Sequence, residues 1–396
     1  MSLVRILLVL SAVLLCHAGR AGDVRAQAES DSTVSTVSGG YDPAVGLFVE
    51  DAASGFRANL GAYAQFRYSM NWREGVQDST ESLERGYSMP RAELFLFGNY
   101  KEKLAYHFRA LIEEATDFSL FVAYLQYMFS EKWNVTVGKQ FIPLSREDWY
   151  YAQDVLAMDF SANDNTFAVG TSLGVVFQNV ASDRFRMWLG ASNGAFSAKR
   201  SFPPVAESDV LVNGRFEFQV AGTDWSVWDD MIGRRGRPFG VLVGLGPGYL
   251  IRERRDVEVR RQGQVNLDLS VNGDGYQAML AGSWTYSDPL GDISFNNYGF
   301  YAQGGYFFTD TWQAYARYDF VSPGDQPGDL ENFNAGSVGV NWLPFPSTNR
   351  WKISAEVGRT FGTLDNTIVP PSGNLGWLDS DQAGQTLLRL QAQFGF

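Results

Sequence analysis

Arg57, Arg67, Arg91, Arg109, Arg184, Arg186, Arg215, Arg317, Lys352 and Arg389 share one property: each falls on the polar parity of a stretch that alternates polar and apolar residues. Six acids, Glu93, Glu113, Glu217, Asp268, Asp319 and Glu356, fall on the same parity. If that parity faces one enclosed water column, the wall carries an excess of four positive charges, in a chain of formal net charge −12. A positive wall in a low-dielectric tube focuses field lines and concentrates anions, and rings of Arg or Lys are a usual source of anion preference. The same residues can instead pair across strands and brace the wall. An excess of four cannot all be neutralised within the wall itself, so a weak anion bias is expected on either reading.

Two further cations, Lys139 and Arg146, flank the start of a long connection, 141–168. It follows Val137-Gly138-Lys139-Gln140, opens with Phe141-Ile142-Pro143 and carries Glu147, Asp148, Trp149, Tyr150 and Tyr151. Folded inward, such a loop would narrow the passage, with Lys139 and Arg146 as constriction candidates. Folded outward, it would pack on its own aromatics. Lys139 lies on the apolar parity, so it fits a constriction only if its strand has already ended.

Catalytic chemistry finds little material. Met1 to Arg5, the apolar run Ile6 to Leu15 and Ala26-Gln27-Ala28 form a secretory signal with an A-x-A site. Cleavage there removes the single cysteine, Cys16, and one of the two histidines, His17. Thiol chemistry, disulfides and cysteine metal sites are thereby excluded. A hydrolase would depend on His107 alone. No enzyme activity, metal or cofactor is expected.

The elements that must position these side chains are strands. Val265 to Val271 is apolar on odd positions and polar on even ones, and Arg57 to Trp72 continues such a pattern over a longer stretch. The period of two is that of a sheet with unlike faces. Strands are expected at 56–72, 88–99, 103–114, 119–129, 132–140, 169–178, 184–192, 212–221, 238–246, 263–271, 275–286, 298–308, 312–320, 334–342, 350–359 and 386–396. About sixteen strands suit an all-β, transmembrane antiparallel β-barrel, and aromatics at 15% of the chain suit its interfacial girdles. Residues 1–28 read as the signal peptide, 29–55 as a periplasmic arm and 56–396 as the barrel. The last strand ends on Phe396, with Phe394, Ala392, Leu390 and Leu388 on the same face. Connections alternate short and long, as periplasmic turns and outer loops do. Two break the rule: 115–118 is short for an outer loop, and 222–237 is long for a turn. A basic outer loop holds Arg252, Arg254, Arg255, Arg260 and Arg261 with acids between them. Binding of lipopolysaccharide phosphates or anionic solutes, and plain solvation, are both open for it.

Three stretches carry a family resemblance. They are Gly46-Leu47-Phe48-Val49 through Gly55-Phe56-Arg57 to Leu60-Gly61, then Pro90-Arg91-Ala92-Glu93-Leu94, and Ala123-Tyr124-Leu125-Gln126-Tyr127 followed by Val137-Gly138-Lys139-Gln140-Phe141-Ile142-Pro143-Leu144. Together they resemble the phosphate-selective porin O and P family of Gram-negative outer membranes. The resemblance implies a sixteen-stranded channel, commonly a homotrimer, passing small anions such as phosphate or polyphosphate along an arginine-lined path. Pro90 and Glu93 stand where the family often has arginine. The expected function is passive diffusion of small hydrophilic solutes with anion preference. The alternatives are a general, sugar- or cation-preferring porin, or a structural barrel with a closed lumen. The partners expected are outer-membrane lipid, lipopolysaccharide and, through Phe396, the barrel-assembly machinery; no nucleic acid is expected.

Overall fold

The computed structural model describes residues 36–396 apart from 43–44, 75–81, 114–116, 195–209, 253–259, 290–292, 371–374 and 379–383. The signal-peptide reading, and Arg254 and Arg255 of the basic loop, lie outside the described residues.

A short hairpin comes first, β1 (Val37–Asp42) and β2 (Gly46–Asp51). Sixteen longer strands follow: β3 (Phe56–Arg73), β4 (Leu83–Tyr100), β5 (Leu104–Glu113), β6 (Asp117–Met128), β7 (Trp133–Phe141), β8 (Thr171–Val180), β9 (Phe185–Ser192), β10 (Val210–Ala221), β11 (Gly240–Arg252), β12 (Arg260–Gly273), β13 (Tyr276–Pro289), β14 (Phe295–Phe307), β15 (Trp312–Ser322), β16 (Phe333–Trp342), β17 (Lys352–Thr360) and β18 (Gln385–Gly395). Each of β3 to β17 pairs antiparallel with its successor, and β18 pairs back onto β3 from Gln385↔Arg73 to Gly395↔Tyr63. The sheet closes into a sixteen-stranded antiparallel barrel, which leaves no free edge.

Side chains sort by parity around the wall. β13 alternates exposed and buried along its length, with Leu280 turned out and Gln277 and Ser283 turned in. Leu267, Val338, Ile353 and Leu390 are likewise exposed on the outer surface, whereas Arg67, Arg215, Gln313 and Lys352 are buried inside. An apolar belt of this extent on a soluble protein would be a liability; around a closed barrel it is the surface that meets lipid.

Both exceptions to the short-and-long rule are real. Only residues 114–116 separate β5 from β6, and 222–239 is a long connection at the end where β3 begins and β18 stops. The region expected as an arm includes regular structure, since β1 pairs with β2 and β2 with the first residues of β3, Asp51↔Phe56 to Leu47↔Leu60. That hairpin continues the track of β18 along β3. Gly46 makes the junction possible: its φ is +91°, and a Cβ there would lie 2.5 Å from the Leu60 carbonyl and 3.0 Å from Phe396.

Candidate functional site

The connection between β7 and β8, residues 142–170, folds into the barrel. Its polar backbone has left water, so each carbonyl and amide needs a partner, and the wall supplies them. Asn213 Nδ2 donates to the Pro143 carbonyl at 3.2 Å and Arg215 Nη1 to the Leu144 carbonyl at 2.9 Å. Across the lumen, Lys352 Nζ donates to the Val155 carbonyl at 3.0 Å and Asn341 Nδ2 to the Leu156 carbonyl at 2.9 Å. The loop then forms a short helix, α1 (Ala162–Phe167), whose first turn is capped by the Ser161 hydroxyl accepting from Asp164 N at 2.9 Å. Ala162 N donates to Asp319 of β15 at 2.9 Å, and Asn163 Nδ2 to Ser283 of β13 at 3.0 Å.

Charge pairing follows the same plan. Asp159 of the loop takes Arg67 on β3 and Arg91 on β4, each at 2.8 Å. Burial opposes its ionisation, but Arg91 and Arg67 hold the Asp159 carboxyl well below the usual carboxylate range. Arg146 meets Glu217 on β10 at 2.9 Å, and the same carboxylate takes Arg186 at 2.6 Å and Arg215 at 2.8 Å. Arg215 also reaches Asp268 at 2.9 Å. Arg109 is held by Glu93 and lies 3.6 Å over the Tyr151 ring. Arg389 is held by Glu356, and Arg317 by Asp319 at 3.2 Å and Glu147 at 3.7 Å. Burial, reinforced by Asp164, pushes the Glu147 carboxyl up to about 8 against the opposing pull of Arg317. The loop therefore adds one arginine and five acids, Glu147, Asp148, Asp154, Asp159 and Asp164, to the interior. Of these, Asp159, held ionised by Arg91 and Arg67, offsets part of the positive excess expected from the wall.

A second insert comes from the opposite end. Residues 222–239 rise into the barrel with one turn of 3-10 helix at Trp225–Trp228. Val227, Trp228, Met231 and Ile232 are all buried. Met231 N donates to the Asp154 carbonyl at 2.8 Å. The Trp228 carbonyl accepts from Arg146 Nη2 at 3.2 Å and from the Tyr150 hydroxyl. Tyr150, Val155, Leu156 and Met231 pack with the inward side chains Met279, Tyr301 and Tyr315 in one apolar cluster.

The inserts leave a cavity of about 410 Å³ against the β5–β10 wall. The wall offers His107, Tyr124, Gln126, Thr136, Gln178, Arg186, Trp188 and Glu217; the inserts offer Arg146, Trp149, Tyr150, Tyr151, Asp154, Trp228 and Asp229. A second cavity, of about 580 Å³, lies between α1 and the outer ends of β11 to β14.

Of the residues singled out from sequence, Arg67, Arg91, Arg109, Arg146, Arg186, Arg215, Arg317, Lys352 and Arg389 stand inside the barrel, each against a partner. Three stand elsewhere. Lys139 does not line the lumen: β7 runs on to Phe141, so Lys139 keeps the outward parity of Val137, and its Nζ donates to the Leu120 carbonyl at 2.7 Å. Arg184 lies exposed in the turn before β9, outside the wall. Arg57 sits at the rim, 3.7 Å from Glu50 of β2. The 222–239 insert, with Trp228, Asp229 and Met231, was not expected. Its signals were the excess length of that turn and apolar residues at inward positions, Met279, Tyr301 and Tyr315 among them.

The barrel is similar to several solved structures at low identity, which is a likeness of fold. The anion-selective porin from Comamonas acidovorans superposes with a TM-score of 0.59 at 12% identity, covering 86% of this chain and 99% of that one. In-vitro folded OmpT, an outer membrane protein of Vibrio cholerae, gives 0.56 at 13% identity, with 86% and 98% covered. OmpF of Salmonella typhi, in complex with daunomycin, gives 0.53 at 12% identity, with 86% and 98% covered. No curated protein matches the chain significantly. Residues 61–214, less than half of the chain, match the family described as phosphate-selective porin O and P, the family that its motifs resemble, and the sixteen-stranded barrel has the fold of these solved structures.

Proposed function

We propose that this porin passes small hydrophilic solutes by diffusion through a lumen narrowed from both ends, with little preference for the sign of their charge. The observation that carries the reading is the pairing of Arg67 and Arg91 with Asp159 and of Arg146, Arg186 and Arg215 with Glu217. Asp159, Glu217 and Asp268 neutralise three of these five guanidinium charges, so focusing of anions is weaker than the count of arginines alone would give. Of the loop's five acids, Asp154 also lines the cavity of about 410 Å³.

Anion preference is the second reading. It is supported by the family's description as phosphate-selective, by the Comamonas acidovorans porin named as anion-selective, and by Arg146 and Arg186 on the cavity. Reversal potential in a potassium chloride gradient separates the two. A value near zero fits the first reading, and a clear shift toward the chloride potential fits the second. Assembly as a trimer is proposed with either, supported by the trimer form of Vibrio cholerae OmpT at a TM-score of 0.55.

A further inference from the structure

We infer that the cavity between the inserts and the β5–β10 wall is a binding site for a neutral polyhydroxylated solute, a sugar of one or two rings. The inference rests on the porin reading and names the solute class. At about 410 Å³ the cavity falls in the range of small-molecule sites.

Its lining is unusual for a path that serves ions alone. Trp149 and Trp188 meet at 4.9 Å between centroids with planes tilted by 58°, and His107 lies 5.6 Å from Tyr124 and 6.0 Å from Tyr151. Leaving ring surface against water is unfavourable, and Trp149 and Tyr124 are only half-buried. The C–H faces of a pyranose would cover those rings while its hydroxyls stay hydrogen-bonded. Amides stand beside them. Gln126 donates through Nε2 to Asn134 and Thr136, at 3.0 and 3.2 Å, which leaves its carbonyl for a solute. Gln178 accepts from Asn134 through its oxygen at 3.0 Å, which leaves its amide.

Charged solutes fit less well. A phosphate would compete with Glu217 for Arg146 and Arg186 and would meet Asp154 and Asp229 on the same lining. An organic cation would seek ring faces, but Arg109 already covers Tyr151 at 3.6 Å and Arg186 lies over Trp188 at 5.0 Å. The outer cavity points the same way: Gln262, Gln264, Thr285, Ser287 and Asn297 line it, and among the described residues no charged side chain does.

The test is conductance of the purified, folded protein in planar bilayers while glucose, maltose, phosphate or tetraethylammonium is added. The expected result is a saturable block with added current noise from glucose or maltose, stronger than any from the two ions. Trp149→Ala should raise the half-blocking sugar concentration about tenfold, the loss of one stacking partner. Gln178→Leu should raise it severalfold. Tryptophan fluorescence of the folded wild-type protein should shift on maltose titration with the same midpoint. Ion current that sugars leave unchanged, or that phosphate blocks better, overturns this inference alone. A folded protein with no ion current overturns the porin reading and this inference with it.

Discussion

Asp159 Oδ1 lies 2.8 Å from Arg91 Nη2, and this contact is one of those that tie the inserted loop to the barrel wall. The other oxygen of the same carboxylate takes Arg67 at 2.8 Å. Removing one member of a buried charge group leaves the rest uncompensated, which costs about 3–5 kcal/mol. Asp159→Asn should therefore free two arginines at once. We expect a lower unfolding free energy, a larger single-channel current and a reversal potential moved toward chloride. Unchanged current and selectivity would show that Asp159 does not hold the loop.

The loop's first residues rest on glycine. A Cβ on Gly246 would come within 2.1 Å of the Leu144 carbonyl, whereas one on Gly248 would meet only the flexible end of the Leu144 side chain at 3.1 Å. Gly246→Ala should displace Leu144 and weaken its bond with Arg215, at a cost of about 1–3 kcal/mol. Gly248→Ala should cost less than Gly246→Ala. Thermal unfolding of the two variants, compared side by side, checks the order.

Glu147 supplies a pH dependence. Burial raises its folded-state pKa to about 8, above the ordinary value of 4.5. A carboxyl with a raised folded pKa contributes stability that is complete below its unfolded value and is lost as pH rises through its folded value. The loop should thus be most firmly seated near pH 5 and loosen toward pH 9, by a few kcal/mol at most. Hydrogen exchange of residues 145–165 should quicken over that interval. Glu147→Gln, uncharged throughout, should flatten the profile.

The turn-side insert can be removed without touching a strand. Replacing residues 224–237 by a two-residue hairpin turn withdraws Trp228, Met231 and Ile232 and their bonds to Arg146, Asp154 and Gln313. The barrel should still form, and conductance should rise severalfold. A conductance equal to wild type would mean that the segment does not narrow the path.

The barrel was legible because its rule is local: a strand with lipid on one side and a polar interior on the other must alternate, and sixteen stretches did. Two boundaries were misplaced by about five residues or more. Gly246-Pro247-Gly248 resembles a turn, yet Pro247 pairs in register with Val265 and β11 runs on to Arg252. β4 begins at Leu83, five residues before its expected start, because the strand carries a register shift opposite Gln65 and Arg67 that interrupts the alternation. Charge was less legible than strand. Parity placed Arg67, Arg215 and Arg389 inside, together with the wall acids Glu217, Asp268 and Glu356, but Asp159, which takes Arg67 and Arg91, belongs to a loop whose path no period records. Tyr301, Tyr315 and Met279 were the available hint, since apolar groups on an inward face need something dry to touch.

The β1–β2 hairpin has a consequence for how the ring shuts. It occupies the stretch of β3 next to the one that β18 covers, and Gly46 abuts Phe396, whose amide and carbonyl both bond to Ala62, at 3.0 and 3.1 Å. A slip of β18 by one residue would turn every one of its side chains to the wrong face. A slip of two toward the hairpin would preserve the faces but drive the terminal aromatic into a position already filled. The hairpin is thus a doorstop: it converts a seam that could latch at several heights into one that latches at a single notch.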